Sequence, residues 1–447
     1  MKKVENQERF EALRKEYERF TFVSQEVRVE AGTLSMSFHF DLDGRYSFHP
    51  TLCIPPRPFY HWESIPHDQL ETLAFHIGMV ECISYWKLAC PPVVEVKPFA
   101  LMKCQKKWWR DLYYHGLGEF RYLNGIRCSI DDFLRFESNT DREFVGLDFP
   151  LEDKTLVPIG GGKDSVVTLE LLREAMPVIP LILNPRGATV NCVAAAGRTL
   201  DDTAVVQRTL DPTLLRLNQE GFLNGHTPFS ALLAFITLLV SAGTGATYIA
   251  LSNEASANEA TVPGTDINHQ YSKSVAFEQD FREYVSQHLS KKIQYFSFLR
   301  PLNEMQIASL FSRFEAYHKV FRSCNAGSKT DSWCGKCPKC LFTWLILSPF
   351  LSRERLTAIF GNDLLSDKSL KPVFEELNGT APVKPFECVG TVEEVRACVD
   401  AMKDREGTLL EGAPQGETTV EEILGRFNET HFLPDSFEQI LKNNLHV

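Results

Sequence analysis

Residues 160–165 read Gly-Gly-Gly-Lys-Asp-Ser and stand between a short apolar run and a stretch with helical periodicity. Glycines let a backbone approach a ligand closely, and their N–H groups at a helix start form a nest for phosphate. Ser165 adds a hydroxyl donor, whereas Asp164 would repel a bare phosphate and suits one accompanied by Mg²⁺. The stretch predicts a nucleotide phosphate site with Mg²⁺, although a plain glycine-rich turn would give the same letters.

The spacing of this stretch differs from two common phosphate-binding motifs. The P-loop of NTPases has glycine where Val157 stands and Ser or Thr where Asp164 stands. The dinucleotide fingerprint G-x-G-x-x-G is absent as well. A different class of nucleotide-binding loop is therefore indicated.

Four cysteines form the second chemical cluster, at Cys324, Cys334, Cys337 and Cys340. Two overlapping C-x-x-C pairs with a fourth cysteine upstream suit tetrahedral Zn²⁺. Two other interpretations are a thioredoxin-like redox motif and a disulfide with free thiols. We favour structural zinc, and four thiolates would leave it no open position for catalysis.

Polar residues follow a predicted buried strand and predict further parts of a site. Asn253 and Glu254 come directly after this strand, where they would hold a metal or a ribose, or simply cap a helix. His226 is a weaker candidate, because Thr227 would explain its stretch as a helix cap.

The run 268–273 contains six polar residues in succession, which is more typical of a functional loop than of a core. Lys273 would neutralise a departing diphosphate or the substrate. His269 or Tyr271 would act as a proton-transfer group.

The elements that would position these residues fall into three predicted units. Residues 1–150 predict an α+β domain, with apolar side chains alternating along the strand 33–40. Residues 151–345 alternate short apolar runs with helices, which favours a parallel sheet covered on both faces and ligands beyond the carboxyl ends of its strands. Residues 346–447 predict a helical C-terminal extension to which we assign no chemistry.

Composition excludes several functional classes. The net charge is −11, whereas binding to nucleic acid or to an anionic membrane is favoured by an overall positive charge. The 12 cysteines in 447 residues indicate reduced thiols. The charged start of the chain is not a signal peptide, and the apolar stretch 229–242 is too short to span a bilayer. A cytoplasmic protein without nucleic-acid or membrane partners is expected.

The glycine stretch resembles the S-G-G-x-D-S loop of the N-type ATP pyrophosphatases, with Gly160 in place of the leading serine. This resemblance implies an adenine nucleotide alpha hydrolase-like core that splits ATP between the α- and β-phosphates and forms an adenylate. Together with the cysteine cluster, it is similar to the 7-cyano-7-deazaguanine synthases. Those enzymes have about half this length and lack the first 150 residues.

Six further stretches are considered together: 113–126, 159–165, 224–235, 251–259, 267–278 and 333–340. Their sequences resemble those of the UDP-N-acetyl-α-D-muramoyl-L-alanyl-L-glutamate epimerases. The resemblance implies ATP-dependent conversion of the terminal L-Glu of this peptidoglycan precursor to D-Glu, with Mg²⁺ and release of AMP and diphosphate, in cell-wall synthesis.

The resemblance also implies roles for individual residues. Adenylation of the carboxylate would make the α-proton more acidic, after which a base and an acid invert the carbon. The N-terminal unit would bind the UDP-muramoyl part.

Two alternatives stay open: an ATP-dependent nucleobase- or nucleoside-modifying enzyme, and a zinc-stabilised nucleotide-binding module without turnover. The residues expected to contact ATP and Mg²⁺ are Gly160, Gly161, Gly162, Lys163, Asp164, Ser165, Asn253 and Glu254.

Overall fold

One sheet organises the computed structural model, which describes residues 3–262, 264–265, 267–327, 330–403 and 405–445. Eleven strands lie in this part of the chain and join into the sheet. In chain order they are β1 Arg19–Glu30, β2 Thr33–Leu42, β3 Tyr46–Phe48, β4 Thr51–Ile54, β5 Val93–Val96, β6 Arg135–Glu137, β7 Glu152–Pro158, β8 Val178–Leu183, β9 Ala204–Thr209, β10 Ala246–Leu251 and β11 Gln294–Ser297.

Seventeen α-helices accompany the sheet in the described residues. They are α1 Gln7–Glu16, α2 His67–Trp86, α3 Lys103–Gly116, α4 Gly118–Leu123, α5 Ile130–Phe133, α6 Lys163–Arg173, α7 Gly187–Ala195, α8 Pro212–Gln219, α9 Phe229–Thr244, α10 Val275–His288, α11 Glu304–Ser312, α12 Pro338–Leu347, α13 Arg353–Phe360, α14 Lys371–Leu377, α15 Val392–Ala401, α16 Val420–Leu424 and α17 Asp435–Leu445.

Five neighbouring strands are parallel, in the order β9-β8-β7-β10-β11. Helices α6 and α7 follow β7 and β8, as the alternation of apolar runs and helices predicts. The chain order reverses between β7 and β10, so the carboxyl ends of these two strands flank a crevice. The predicted α/β class with a parallel sheet is confirmed in this form.

Antiparallel strands of the first 60 residues extend the same sheet. Strand β4 pairs with β9 through residues 51–53 and 207–209. Arg208 of β9 also forms a two-pronged ion pair with the buried Glu81 of α2, with N–O distances of 2.7 and 2.8 Å. The sheet therefore continues from the parallel strands into β4, β2 and β1.

Alternation along the strands explains how both faces of the sheet are buried. Along β2 every second residue is buried, and the prediction of a half-buried strand at 33–40 is confirmed. In the parallel strands neighbouring side chains face opposite sides, so Leu156 belongs to the apolar cluster that includes α2 and α9, while Val157 belongs to the cluster that includes α6 and α12.

The C-terminal extension covers the second of these faces. Phe437 of α17 contacts the rings of Tyr248 and Phe296, which lie on β10 and β11. The predicted helical character of 346–447 agrees with helices α13 to α17. The division into three units stays a prediction, because sheet and apolar clusters run across its boundaries.

Candidate active site

A cavity of about 510 Å³ opens at the carboxyl ends of β7 and β10, where the strand order reverses. Gly160, Gly162, Asp164 and Ser165 line it from the loop after β7, and Asn253 lines it from the segment after β10. Because ligands of open α/β sheets bind at such a reversal, this cavity is the candidate active site.

The glycine loop has the geometry that phosphate binding requires. Gly161 has φ +81°, and a Cβ there would lie 2.9 Å from backbone and side-chain atoms of Ala188. Gly162 caps α6, and no acceptor for the N–H groups of 160–162 is found among the described residues. Donors at a helix start beside a cavity form a nest for an anion.

Lys163 differs from the other loop residues. Its ammonium group bonds to the carboxylates of Asp164 and Glu304, its side chain is 4% exposed, and it does not line the cavity. Burial alone would lower the pKa of Lys163, but the two carboxylates outweigh it and raise that pKa. The predicted contact of this side chain with ATP therefore has no support in the geometry, whereas Asp164 does reach the cavity.

Four cationic side chains line the cavity: Arg186, Lys273, Arg322 and Lys339. They bring positive charge to the same space as the glycine loop, which suits a polyphosphate. Of these four residues, only Lys273 was predicted. Arg322 lies two residues before Cys324, and Lys339 lies between Cys337 and Cys340, so the segment with the cysteine cluster brings both cations to the cavity.

The segment after β10 separates the two residues predicted there. Asn253 lines the cavity and donates to Ser297 Oγ at 2.9 Å. Glu254 is buried outside the lining, where its side chain accepts a bond from Ser256 Oγ at 3.2 Å. The fully buried Arg300 donates to the backbone oxygens of Glu254 and Lys273 and thereby fixes both segments.

His269 and Tyr271 point to different places. His269 lines the cavity, and its Nδ1 lies 2.5 Å from Oε2 of the buried Glu119 on α4. Tyr271 lines another, smaller cavity and packs its ring against those of His115 and Phe277. Of the two predicted proton-transfer groups, the geometry therefore supports His269.

His226 stands beside His269, with ring centroids 4.5 Å apart. Burial and the neighbouring His269 lower the pKa of His226 to about 4. The interpretation of this stretch as a Thr227 cap is wrong, because α9 begins after Pro228 and no side chain caps it. His226 lines the cavity, and its Nδ1 lies 3.6 Å from Oε2 of Glu119, which is buried behind the two rings.

Cys388 is a cavity residue that sequence reasoning missed. It lies in the segment 378–391 between α14 and α15, and Lys273 Nζ donates to its Sγ at 3.3 Å. The sequence gives no signal for it, since it is a single cysteine without a motif, 115 residues from Lys273. The assignment of no chemistry to residues 346–447 therefore overlooked a thiol in the candidate site.

The four predicted zinc ligands meet beside this cavity, and Cys324 also lines it. The Sγ–Sγ distances are 3.6 Å for Cys324–Cys337, 3.7 Å for Cys334–Cys340 and 3.5 Å for Cys337–Cys340. Tetrahedral Zn²⁺ with four thiolates requires about 3.8 Å, so the cluster could hold such a metal. All twelve cysteines are free thiols, which does not support the disulfide interpretation.

We expect the purified protein to hold about one Zn²⁺ per chain. Replacing Cys337 by Ser should weaken zinc binding more than roughly 100-fold and lower thermal stability, because this metal would tie the segment 322–340 together. Metal analysis and thermal unfolding measure both effects, with Cys104→Ser, an exposed thiol on α3, as the control. A metal-free wild-type protein with a titratable disulfide would contradict this prediction.

Comparison with known proteins adds independent findings. Residues 11–298 match the model of the MurL N-terminal domain, and residues 320–414 match that of the MurL C-terminal domain. Proteins named UDP-N-acetyl-alpha-D-muramoyl-L-alanyl-L-glutamate epimerase are similar along most of the chain. That of Xanthomonas oryzae pv. oryzae is 33% identical over 394 residues, 86% of each chain. That of Salinispora tropica is 34% identical over 402 residues, 87% of this chain and 85% of the relative.

Proposed function

The chain belongs to the MurL epimerase family, and we propose that it inverts the terminal L-glutamate of UDP-N-acetylmuramoyl-L-alanyl-L-glutamate to D-glutamate. The product would serve peptidoglycan precursor synthesis. The observation that carries this proposal is the similarity to epimerases over about 86% of the chain. The match to the N-terminal family model, residues 11–298, includes the glycine loop, and the match to the C-terminal model, residues 320–414, includes the cysteine cluster.

We propose that the reaction begins with activation of the glutamate carboxylate by ATP. Three observations support this step: the glycine loop at the start of α6, the reversal of strand order beside it, and the four cations around the cavity. This combination suits an ATP pyrophosphatase-like core, in which the substrate carboxylate attacks the α-phosphate and diphosphate leaves. Asp164 and the phosphates would hold Mg²⁺, which would neutralise charge on the leaving diphosphate.

Activation explains why an amino-acid epimerase would need ATP. Removing the α-proton beside a free carboxylate would create a dianion, so that proton is very hard to abstract. An acyl-adenylate has no such negative charge at the carbonyl, and its α-proton is far more acidic. After the carbon is inverted, water would release AMP from the D-glutamyl adenylate.

The described residues supply groups for each remaining task. His269 would transfer a proton, because it reaches the cavity and the buried Glu119 fixes its orientation. Lys273 lies at the other end of the segment 268–273 and would neutralise negative charge on the phosphates or on the substrate carboxylate. The N-terminal residues 1–150 would contact the UDP-muramoyl part, since Glu119 already brings α4 to the cavity wall.

Incubation with ATP, Mg²⁺ and the UDP-linked muramoyl dipeptide in D₂O tests the proposal. We expect equimolar AMP and diphosphate, and D-glutamate that carries deuterium at its α-carbon. A control reaction without ATP should give neither. Substrate-dependent AMP release with a purine-like acid instead would favour the nucleobase-modifying alternative. Absence of diphosphate with every acid tried would favour a binding module without turnover.

A further inference from the structure

The thiol of Cys388 lines the cavity, a location that a purely structural role would not require. The segment 378–391 that carries it is fixed by polar contacts on both sides of the thiol. Lys384 donates to Gly390 O at 3.0 Å and pairs with Glu259. Asn325 donates to the carboxylate of Glu387 at 3.1 Å. The thiol is thus held in place beside the glycine loop and Lys273.

A thiol, an imidazole and a carboxylate lie near one another, because Cys388 and His269 line the same cavity and Glu119 bonds to His269. Oε2 of Glu119 lies 2.5 Å from Nδ1 of His269, and Lys273 Nζ lies 3.3 Å from Cys388 Sγ. Glu119 is only 4% exposed, so the imidazole orientation is set by a group that solvent hardly reaches. A nucleophile or base, a histidine and an orienting third group are the usual parts of an activated thiol site.

The charges around Cys388 favour its ionised form. Burial alone would raise the pKa of the thiol, but Lys273, Lys339 and His269 outweigh burial and lower that pKa to about 5. The carboxylate of Glu387 also faces Cys388. Burial alone would lower the pKa of His269, but its interactions with Cys388 and Glu119 outweigh burial and raise that pKa to about 9. A thiolate and an imidazolium therefore stand side by side at neutral pH.

Cys192 is a second thiol beside the glycine loop, and its pKa is shifted in the opposite direction from that of Cys388. It is fully buried and contacts Gly161 O at 3.7 Å. Burial raises the pKa of Cys192 to about 12, so it remains a neutral thiol at physiological pH. The environment of Cys388 is thus specific to its position and is not shared by every cysteine near the loop.

We propose that Cys388 is the base that removes the α-proton of the activated glutamate, with His269 as the group that passes this proton on to solvent. This inference rests on the proposed epimerisation and names the residues that remove the proton. A thiolate beside an imidazolium is the resting state that such a base requires.

Protons balance over one turnover in this scheme. The thiolate takes the α-proton and becomes a thiol, and a proton from solvent adds to the opposite face of the carbon. The thiol then returns its proton to solvent through His269, which restores the starting pair. No oxidant, reductant or further cofactor is required for this step.

Two variants, Cys388→Ser and Cys388→Ala, test the proposal with full-length protein, because a hydroxyl or a methyl group cannot replace the thiolate. We expect deuterium entry at the glutamate α-carbon to fall by roughly 100- to 10,000-fold, the range for general acid–base catalysis. ATP–diphosphate exchange dependent on the muramoyl dipeptide should remain within about threefold of wild type, since adenylation precedes proton removal. Cys53→Ser, a partly exposed thiol on β4, should change neither rate.

Each other outcome identifies a different error. Undiminished deuterium entry in both Cys388 variants would overturn the assignment, and so would loss of exchange in parallel with deuterium entry. A substrate-sized mass increase on acid-quenched wild-type protein would also overturn it, because Cys388 would then act as a nucleophile that forms a thioester. Absence of exchange in the wild-type protein would instead refute the proposed adenylation.

Discussion

Replacing Asp164 by Asn is expected to lower the rate of ATP–diphosphate exchange by roughly 100- to 1000-fold, or about 3 kcal/mol of transition-state stabilisation. Asp164 is the loop carboxylate that lines the cavity, and its charge would hold the Mg²⁺ that accompanies the diphosphate. Asparagine keeps the shape and one oxygen for the bond to Lys163, so thermal stability should change little.

Asp153→Asn is the matched control for this variant. Asp153 lies on β7, a few residues before the loop, and its side chain is exposed outside the cavity lining. Its replacement should leave both exchange and stability unchanged. Wild-type exchange in Asp164→Asn would remove the glycine loop from the proposed role in activation.

Replacing Lys163 by Met is expected to destabilise the fold by about 3 to 5 kcal/mol. The carboxylate of Glu304, whose side chain is 4% exposed, would lose the ammonium group that compensates it. Urea-induced unfolding of the purified variant measures the change as a shift in midpoint. If Lys163 instead contacted ATP, as the sequence predicts, the Lys163→Met variant would have normal stability and a reduced rate of ATP–diphosphate exchange.

Lys154→Met provides the comparison for an ion pair at the surface. Lys154 Nζ lies 2.9 Å from Glu152 on the same strand, and the Glu152 side chain is 57% exposed. Such a pair contributes less than about 1 kcal/mol, so the unfolding midpoint should move little. Equal midpoints for the two variants would show that the buried pair of Lys163 contributes no more than a surface pair.

Local patterns in the sequence were sufficient to predict the parts of the site whose residues lie within one segment. The glycine loop and the cysteine cluster each carry their chemistry in at most 17 consecutive residues, from 324 to 340 in the longer case. Periodicity was also sufficient to predict β2, because a buried face imposes a regular spacing of apolar residues.

Contacts between distant segments could not be read from a single sequence. Lys163 meets Glu304 across 141 positions, and His269 meets Glu119 across 150. The environment of a titratable side chain depends on such neighbours, so neither the buried pair of Lys163 nor the charge state of Cys388 has a local signal. Tyr271 lies outside the candidate active site for a simpler reason, since side chains of one short helical turn point in different directions and that of Tyr271 lines the other cavity.

The continuous sheet restricts how the protein can move. A hinge rotation between the N-terminal strands and the parallel strands would break the β4–β9 pairing, at about 1 kcal/mol per hydrogen bond. It would also separate Arg208 from the buried Glu81. The large domain closure common in nucleotide-dependent enzymes is therefore obstructed, and the scaffold around the cavity stays rigid while substrates enter and leave.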